Sequence, residues 1–312
     1  MVYTELRPPI LVLVLSLHSI ISVVESTSFV LANNCRHPVW PGILSNAGVA
    51  SLSPTGFLLQ QGESKVITAP ASWAGRMWGR TQCSEDSTRK FTCFTGDCGS
   101  GNVECNGNGA APPATLIEFT LDGYGGKDFY DVSLVDGYNL PVLVAPRGGA
   151  GQNCSTTGCI SDLNGACPTE LMIATSEGVK VACKSACEAF NQPEYCCVGA
   201  YASPDTCKAT SYSKMFKNAC PRAYSYAYDD GTSTFTCSSS PDYVITFCPS
   251  PNTSQKSAES QTPDSDDPVL ALLNSATMVY SSAATRGVSA LMCTIAVMAA
   301  AVGFPMRLYH LG

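Results

Sequence analysis

Histidine is nearly absent: there are three in 312 residues, and only His37 falls between positions 27 and 274. A Ser-His-Asp triad or a Cys-His pair needs an imidazole held by an orienting partner. His37 stands in the run Cys35-Arg36-His37-Pro38 and reads as a surface turn residue. The same shortage argues against zinc, which takes paired Cys-x-x-Cys or Cys/His clusters. Neither a metal nor a cofactor is expected. Charge is thin as well, at 14% of residues. Residues 27–250 hold 14 Lys/Arg against 19 Asp/Glu, a difference of −5, with no basic run or basic helix face. Nucleic acid is therefore not expected as a partner, because neutralising phosphates takes clustered Lys and Arg. No internal repeat is present.

Cysteine, by contrast, is abundant, with seventeen in all. Cys293 stands alone in an apolar stretch, and the other sixteen lie between Cys35 and Cys248, an even set that permits eight bridges. Such density belongs to an oxidising, extracytoplasmic compartment. The N-terminus agrees: Arg7 precedes an apolar run from Ile10 to Val24, and small residues Ser26 and Ser28 follow. That is the layout of a signal peptide, expected over residues 1–26, with the folded domain over 27–250. Beyond Cys248 the chain turns rich in Ser, Thr, Pro, Gln and acidic residues. Residues 251–274 are expected to be an extended linker, since such a composition buries no core.

Asn274-Ser275-Ala276, a weakly polar spacer to Gly287 and the apolar run Val288–Phe304 follow. Small residues, a spacer of about 8–12 residues and a hydrophobic tail of about 10–20 form a glycosylphosphatidylinositol (GPI) signal. Residues 275–312 are thus expected to be exchanged for a lipid at Asn274 or Ser275. The alternative is a single transmembrane helix stopped by Arg307. At 17 residues the run sits at the short end of the spanning range. The outer face of the plasma membrane, at the wall interface, is the expected location. Sequons occur at Asn153 and Asn252; the second, in the linker, is the better acceptor.

From Phe29 to about Pro146 the chain reads as short strands between turns. Phe29–Ala32, Ser64–Thr68, Met77–Thr81, Thr115–Leu121 and Phe129–Val135 carry β-branched and aromatic residues, punctuated by Gly, Pro, Asn and Asp. This spacing favours a β-sandwich or barrel. Between Cys154 and Cys237 the cysteines crowd and the strand signal fades, leaving disulfide-held loops and one short helix near Lys184–Phe190.

The run Arg89-Lys90-Phe91-Thr92-Cys93-Phe94-Thr95-Gly96-Asp97-Cys98 resembles the signature of the thaumatin-like family, with Arg89 where glycine is usual. Agreement extends through Arg76–Thr81, Pro112–Leu116, Lys127–Ser133, Val135–Asn139, Glu194–Cys197 and Cys220–Tyr226. The resemblance implies an all-β dominated fold: a β-sandwich core, a disulfide-rich loop and helix lobe, and a small third region. It also implies the pairs Cys35–Cys248, Cys83–Cys93, Cys98–Cys105, Cys154–Cys237, Cys159–Cys220, Cys167–Cys183, Cys187–Cys196 and Cys197–Cys207. Family members with an acidic cleft carry one Arg, one Glu and three Asp, which the resemblance transfers to Arg76, Glu118, Asp131, Asp136 and Asp229.

Periodicity speaks to two of these independently. Ile117, Phe119 and Leu121 share one strand face and turn Glu118 to the other; Tyr130, Val132 and Leu134 do the same for Asp131. Asp136 and Asp229 each stand next to turn formers and have a second reading as turn residues. Asp97, between cysteines, is expected to shape a turn. Clustered carboxylates can accept sugar hydroxyls, cleave a glycosidic bond if one stays protonated, or hold a hard cation; no calcium-loop motif is present. The resemblance implies a plant defence-type protein that binds β-1,3-glucan of fungal walls or callose, and a monomer is expected. One alternative is a weak endo-β-1,3-glucanase with Glu118 as acid and Asp131 or Asp136 as nucleophile or base. Another is recognition of a protein partner, or perturbation of a fungal membrane.

Overall fold

Alternation of apolar and polar residues builds two sheets in the computed structural model, which describes residues 26–239 and 241–250. The described strands are β1 (Ser26–Asn33), β2 (Trp40–Ser45), β3 (Ser64–Pro70), β4 (Ala74–Glu85), β5 (Phe91–Thr95), β6 (Leu116–Thr120), β7 (Asp128–Ser133), β8 (Val142–Arg147), β9 (Thr157–Cys159), β10 (Met172–Ala174), β11 (Lys180–Cys183), β12 (Phe235–Cys237) and β13 (Asp242–Phe247). One sheet runs β3-β1-β13-β8-β9; the other runs β12-β7-β6-β4-β2, with β5 paired to β4. The five strand stretches expected from sequence all lie in or overlap these elements. Ser26, at the expected signal boundary, already pairs with Pro70. Most of the signal peptide, the linker 251–274 and the anchor signal 275–312 lie outside the described residues. So do Asn252, Asn274, Ser275, Cys293 and Arg307.

The two sheets close on a shared apolar layer. Phe29, Leu31, Ile67, Tyr243, Ile245 and Phe247 come from one sheet, and Met77, Ile117, Phe119, Tyr130 and Val132 from the other, all essentially inaccessible to solvent. Phe29 lies 4.6 Å from Phe119, and Phe119 lies 4.8 Å edge-on to Tyr243. Burying each such side chain contributes about 1.5–3 kcal/mol. β1 and β13 run parallel in a register that sets Phe29 opposite Tyr243. Cys35–Cys248 closes this pair across a sequence separation of 213. The bridges are the eight pairs implied by the resemblance.

A second, smaller core covers part of the outer face of the six-stranded sheet, where Trp78 and Leu116 pack under Cys98, Cys105 and Ala114. Arg80 is wholly buried beneath it and donates to the carbonyls of Trp40, Pro41 and Val103. Burial lowers its guanidinium to about 10, opposed by the charge of Asp97. Asp97 accepts from the backbone of Cys93 and Gly99, the turn role expected of it. The disulfide-rich lobe holds short helices and the β10–β11 hairpin. Ser185 caps the helix Ala186–Phe190 by accepting from Glu188 N. Thr210 and Ser213 cap the longer helix Ser211–Ala219 reciprocally.

Candidate functional site

The outward-facing charges on β4, β6 and β7 fall into one row. Register pairs Arg76 with Glu118, and Glu118 with Asp131. Directly opposed side chains on neighbouring strands stand about 4.5–5.5 Å apart at Cβ, so the three form a continuous floor. Asp136 joins from the turn after β7. That turn is tightly fixed: Gly137 has φ +86, and any Cβ there would meet Pro113 at 2.6 Å and the Cys183 carbonyl at 2.7 Å. Ala114 N donates to the Asp136 carbonyl from the opposite side.

These four residues line a trough of about 370 Å³ together with Leu116, Ser133, Val135, Tyr224, Ala227 and Asp230. Asp230 supplies the third aspartate of the trough; Asp229, the residue expected from sequence, does not line it. Asp229 instead turns to Lys217, 2.9 Å away, and accepts from Ser225 N and Oγ. Asp230, Tyr224 and Ser133 are trough residues that sequence reasoning missed. The Asp229-Asp230 doublet is the one signal that pointed there.

Electrostatics divide the carboxyls. Asp131 is pushed up to about 8, first by burial, then by the negative charges of Glu118 and Asp230, with Arg76 pulling the other way. Glu118 is also raised by burial, opposed by Arg76 and assisted by Asp136. Burial raises both carboxyls, Asp131 the more strongly, whereas the acid role expected from sequence was given to Glu118. The Arg76 Nε–Glu118 Oε1 separation of 3.6 Å is too long for a hydrogen bond, and both side chains are more than a third exposed. Such a screened pair adds at most about 1 kcal/mol of stability. Arg76 Nε and Asp131 Oδ2 are buried without a hydrogen-bond partner, one potential donor and one oxygen left unused within the row.

Asn153 is exposed, and its Nδ2 donates to the Thr234 carbonyl. Among the described residues no helix is long and apolar enough to cross a membrane. Among the described residues the one grouping with metal-ligand types is Cys35, His37 and Cys248, whose two sulfurs are consumed by a disulfide.

A disulfide-stapled β-sandwich carrying an acidic trough on the outer face of one sheet defines the class. The chain belongs to the thaumatin family, whose profile matches residues 33–249. Thaumatin-like protein 1 of Pyrus pyrifolia is 58% identical over 226 residues, 72% of this chain and 92% of that protein. The pathogenesis-related thaumatin-like protein 3.5 of Cryptomeria japonica is 56% identical over 225 residues, 72% of this chain and 91% of that one. The PR5-like receptor kinase of Arabidopsis thaliana is 52% identical over 248 residues, 78% of this chain but 37% of the longer protein. A laminaripentaose-producing β-1,3-glucanase of Paenibacillus barengoltzii matches in structure at 14% identity and a TM-score of 0.46, over 74% of this chain and 78% of that one.

Proposed function

We propose that the trough binds a β-1,3-glucan strand, of fungal wall or callose, as the recognition step of a defence-type protein. The observation that carries this reading is the Arg76–Glu118–Asp131 row with two unused polar atoms, flanked by Asp136, Asp230, Tyr224 and Ser133. Carboxylates offer several acceptor positions each and the guanidinium offers fixed donors, which suits a ligand covered in hydroxyls. The choice of β-1,3-glucan comes from the family resemblance; the trough supports a polyhydroxylated ligand. Retention of the secreted protein on insoluble β-1,3-glucan at pH 5.5 tests it. Wild type is expected to be retained and a folded Glu118→Gln/Asp136→Asn variant to pass through. Equal behaviour of the two sinks the proposal.

Hydrolysis is a second reading, favoured by the elevated carboxyl of Asp131 beside Glu118. Glycosidic cleavage needs one carboxyl protonated and a neighbour ionised at the same pH. Asp131 would then be the acid and Glu118 its ionised partner. Reducing ends released from laminarin by wild type, and lost in Asp131→Asn, would make the protein a glucanase. No release from wild type leaves binding alone. We also propose that the protein works as a monomer held at the outer plasma membrane by a glycolipid anchor. Release from membranes by a GPI-specific phospholipase is the expected result, and retention would favour a spanning helix.

A further inference from the structure

Asp229 and Asp230 are adjacent, yet only the second lines the trough. The reason lies beneath them, in Lys217 of the helix Ser211–Ala219. Its Nζ is 2.9 Å from Asp229 Oδ2, 2.8 Å from Ser233 Oγ and 3.1 Å from the Ala223 carbonyl. Three acceptors match the three protons of an ammonium group. Asp229 Oδ2 meanwhile accepts from Ser225 N at 3.0 Å and Ser225 Oγ at 2.9 Å. The segment 223–233 is thus gathered around one cation. Side-chain exposures of 23% and 13% for Lys217 and Asp229 keep the pair poorly screened.

The same segment is stitched to the trough floor from its other side. Tyr224 N donates to the Val132 carbonyl and Leu134 N to the Tyr224 carbonyl, at the end of β7. The Tyr224 hydroxyl donates to Asp230 Oδ1 at 2.8 Å and contacts Thr234 Oγ1. Tyr224 and Asp230 therefore have their places set by backbone bonds to β7 on one side and by Lys217 on the other. Asp230 in turn is one of the charges acting on Asp131.

We infer that Lys217 and Asp229 form a half-buried latch that positions Tyr224 and Asp230 against Asp131, so that recognition in the trough depends on a lysine outside its lining. The affinity part of this inference rests on the reading of the trough as the ligand site; the positioning part stands on the hydrogen bonds alone. Lys217 and Asp229 are positioning residues. Removing one partner of a buried pair strands the other charge, whereas removing both is milder.

The test titrates the Asp131 carboxyl by carbon NMR and measures laminarihexaose affinity on the same samples. It compares wild type, Lys217→Met, Asp229→Asn, the double variant and Lys214→Met, an exposed lysine of the same helix. Releasing the latch lets Asp230 move away from Asp131. The Asp131 midpoint is expected to fall in the double variant, which removes one cation and one anion together and so leaves the release of Asp230 as the cause, and to stay in Lys214→Met, where the charges of Glu118, Asp230 and Arg76 around it are unchanged. Affinity is expected to weaken about fivefold in each single variant, a typical coupling between sites. The double variant should lose less than the sum, because the two residues act as one unit. If Lys217→Met fails to fold, the double variant carries the test, since it strands no charge. An Asp131 midpoint that stays put overturns the latch. So does an affinity within about twofold of a wild type that binds. A wild type that binds no glucan sinks the glucan reading, while the titration still decides the positioning.

Discussion

Replacing Asp131 by asparagine keeps the shape of the side chain and removes its charge. In the folded protein this carboxyl holds its proton up to about pH 8, because burial and the neighbouring Glu118 and Asp230 penalise its ionised form. In the unfolded chain it ionises near 3.9. Between those two values the native state binds one more proton than the unfolded state. Stability is fully present below the lower value and is lost as pH rises towards the upper one. The slope inside the window is about 1.4 kcal/mol per pH unit, or about 2.7 kcal/mol from pH 5 to pH 7. Asparagine does not titrate and lacks that slope. Urea unfolding of both proteins at pH 5, 6 and 7, with disulfides intact, isolates it, since groups common to both largely cancel in the difference. Asp131→Asn should gain on wild type steadily as pH rises. A difference that changes by less than about 0.3 kcal/mol over the range would mean that Asp131 ionises like a surface carboxylate, and the acid role would fall with it.

Gly137→Ala should destabilise the fold by more than about 2 kcal/mol and weaken glucan retention. The added Cβ has no room at φ +86 and must push the Asp136 turn away from Pro113; thermal melts and glucan pull-down would show it. Cys35→Ser/Cys248→Ser should cost about 5 kcal/mol, the loop-closure entropy of a 213-residue separation, measured as a fall in the urea midpoint. Arg80→Met should cost about 3 kcal/mol, because the carbonyls of Trp40, Pro41 and Val103 lose their donor. Hexasaccharide affinity should be unchanged in that variant, since Arg80 does not line the trough.

The outward direction of Glu118 and Asp131 is legible from sequence because Ile117, Phe119, Tyr130 and Val132 claim the inward faces. That the two stand opposite each other is not, since it depends on how two separate strands, β6 and β7, register, and a slip of one residue would reverse every side chain. Asp229 and Asp230 defeat sequence reasoning for a sharper reason. Neighbouring residues in a turn point different ways, and the choice is made by Lys217, which lies on an element that sequence reading passed over. The helix Ser211–Ala219 escapes notice because its capping box has Ser213 where Glu or Gln would announce it. The order of the acids depends on depth of burial and on Asp230, quantities that a strand pattern does not contain. The bridges followed from family likeness, because even sixteen correctly located cysteines do not select their own partners.

Because β1 and β13 lie parallel, the chain enters the pair at Ser26 and leaves it at the opposite end, beside Cys248. Tension arriving at Cys248 from the C-terminal side is therefore divided there between β13 and, through the disulfide, β1. Both strands are drawn in the same direction, so the load leaves the pair through the antiparallel ladders to β3 and β8 rather than through the one between β1 and β13. That path runs through the five-stranded sheet, while Arg76, Glu118 and Asp131 are carried by the other. A domain strung in this way takes traction from its C-terminal side on two bridged strands of the sheet that does not carry the trough.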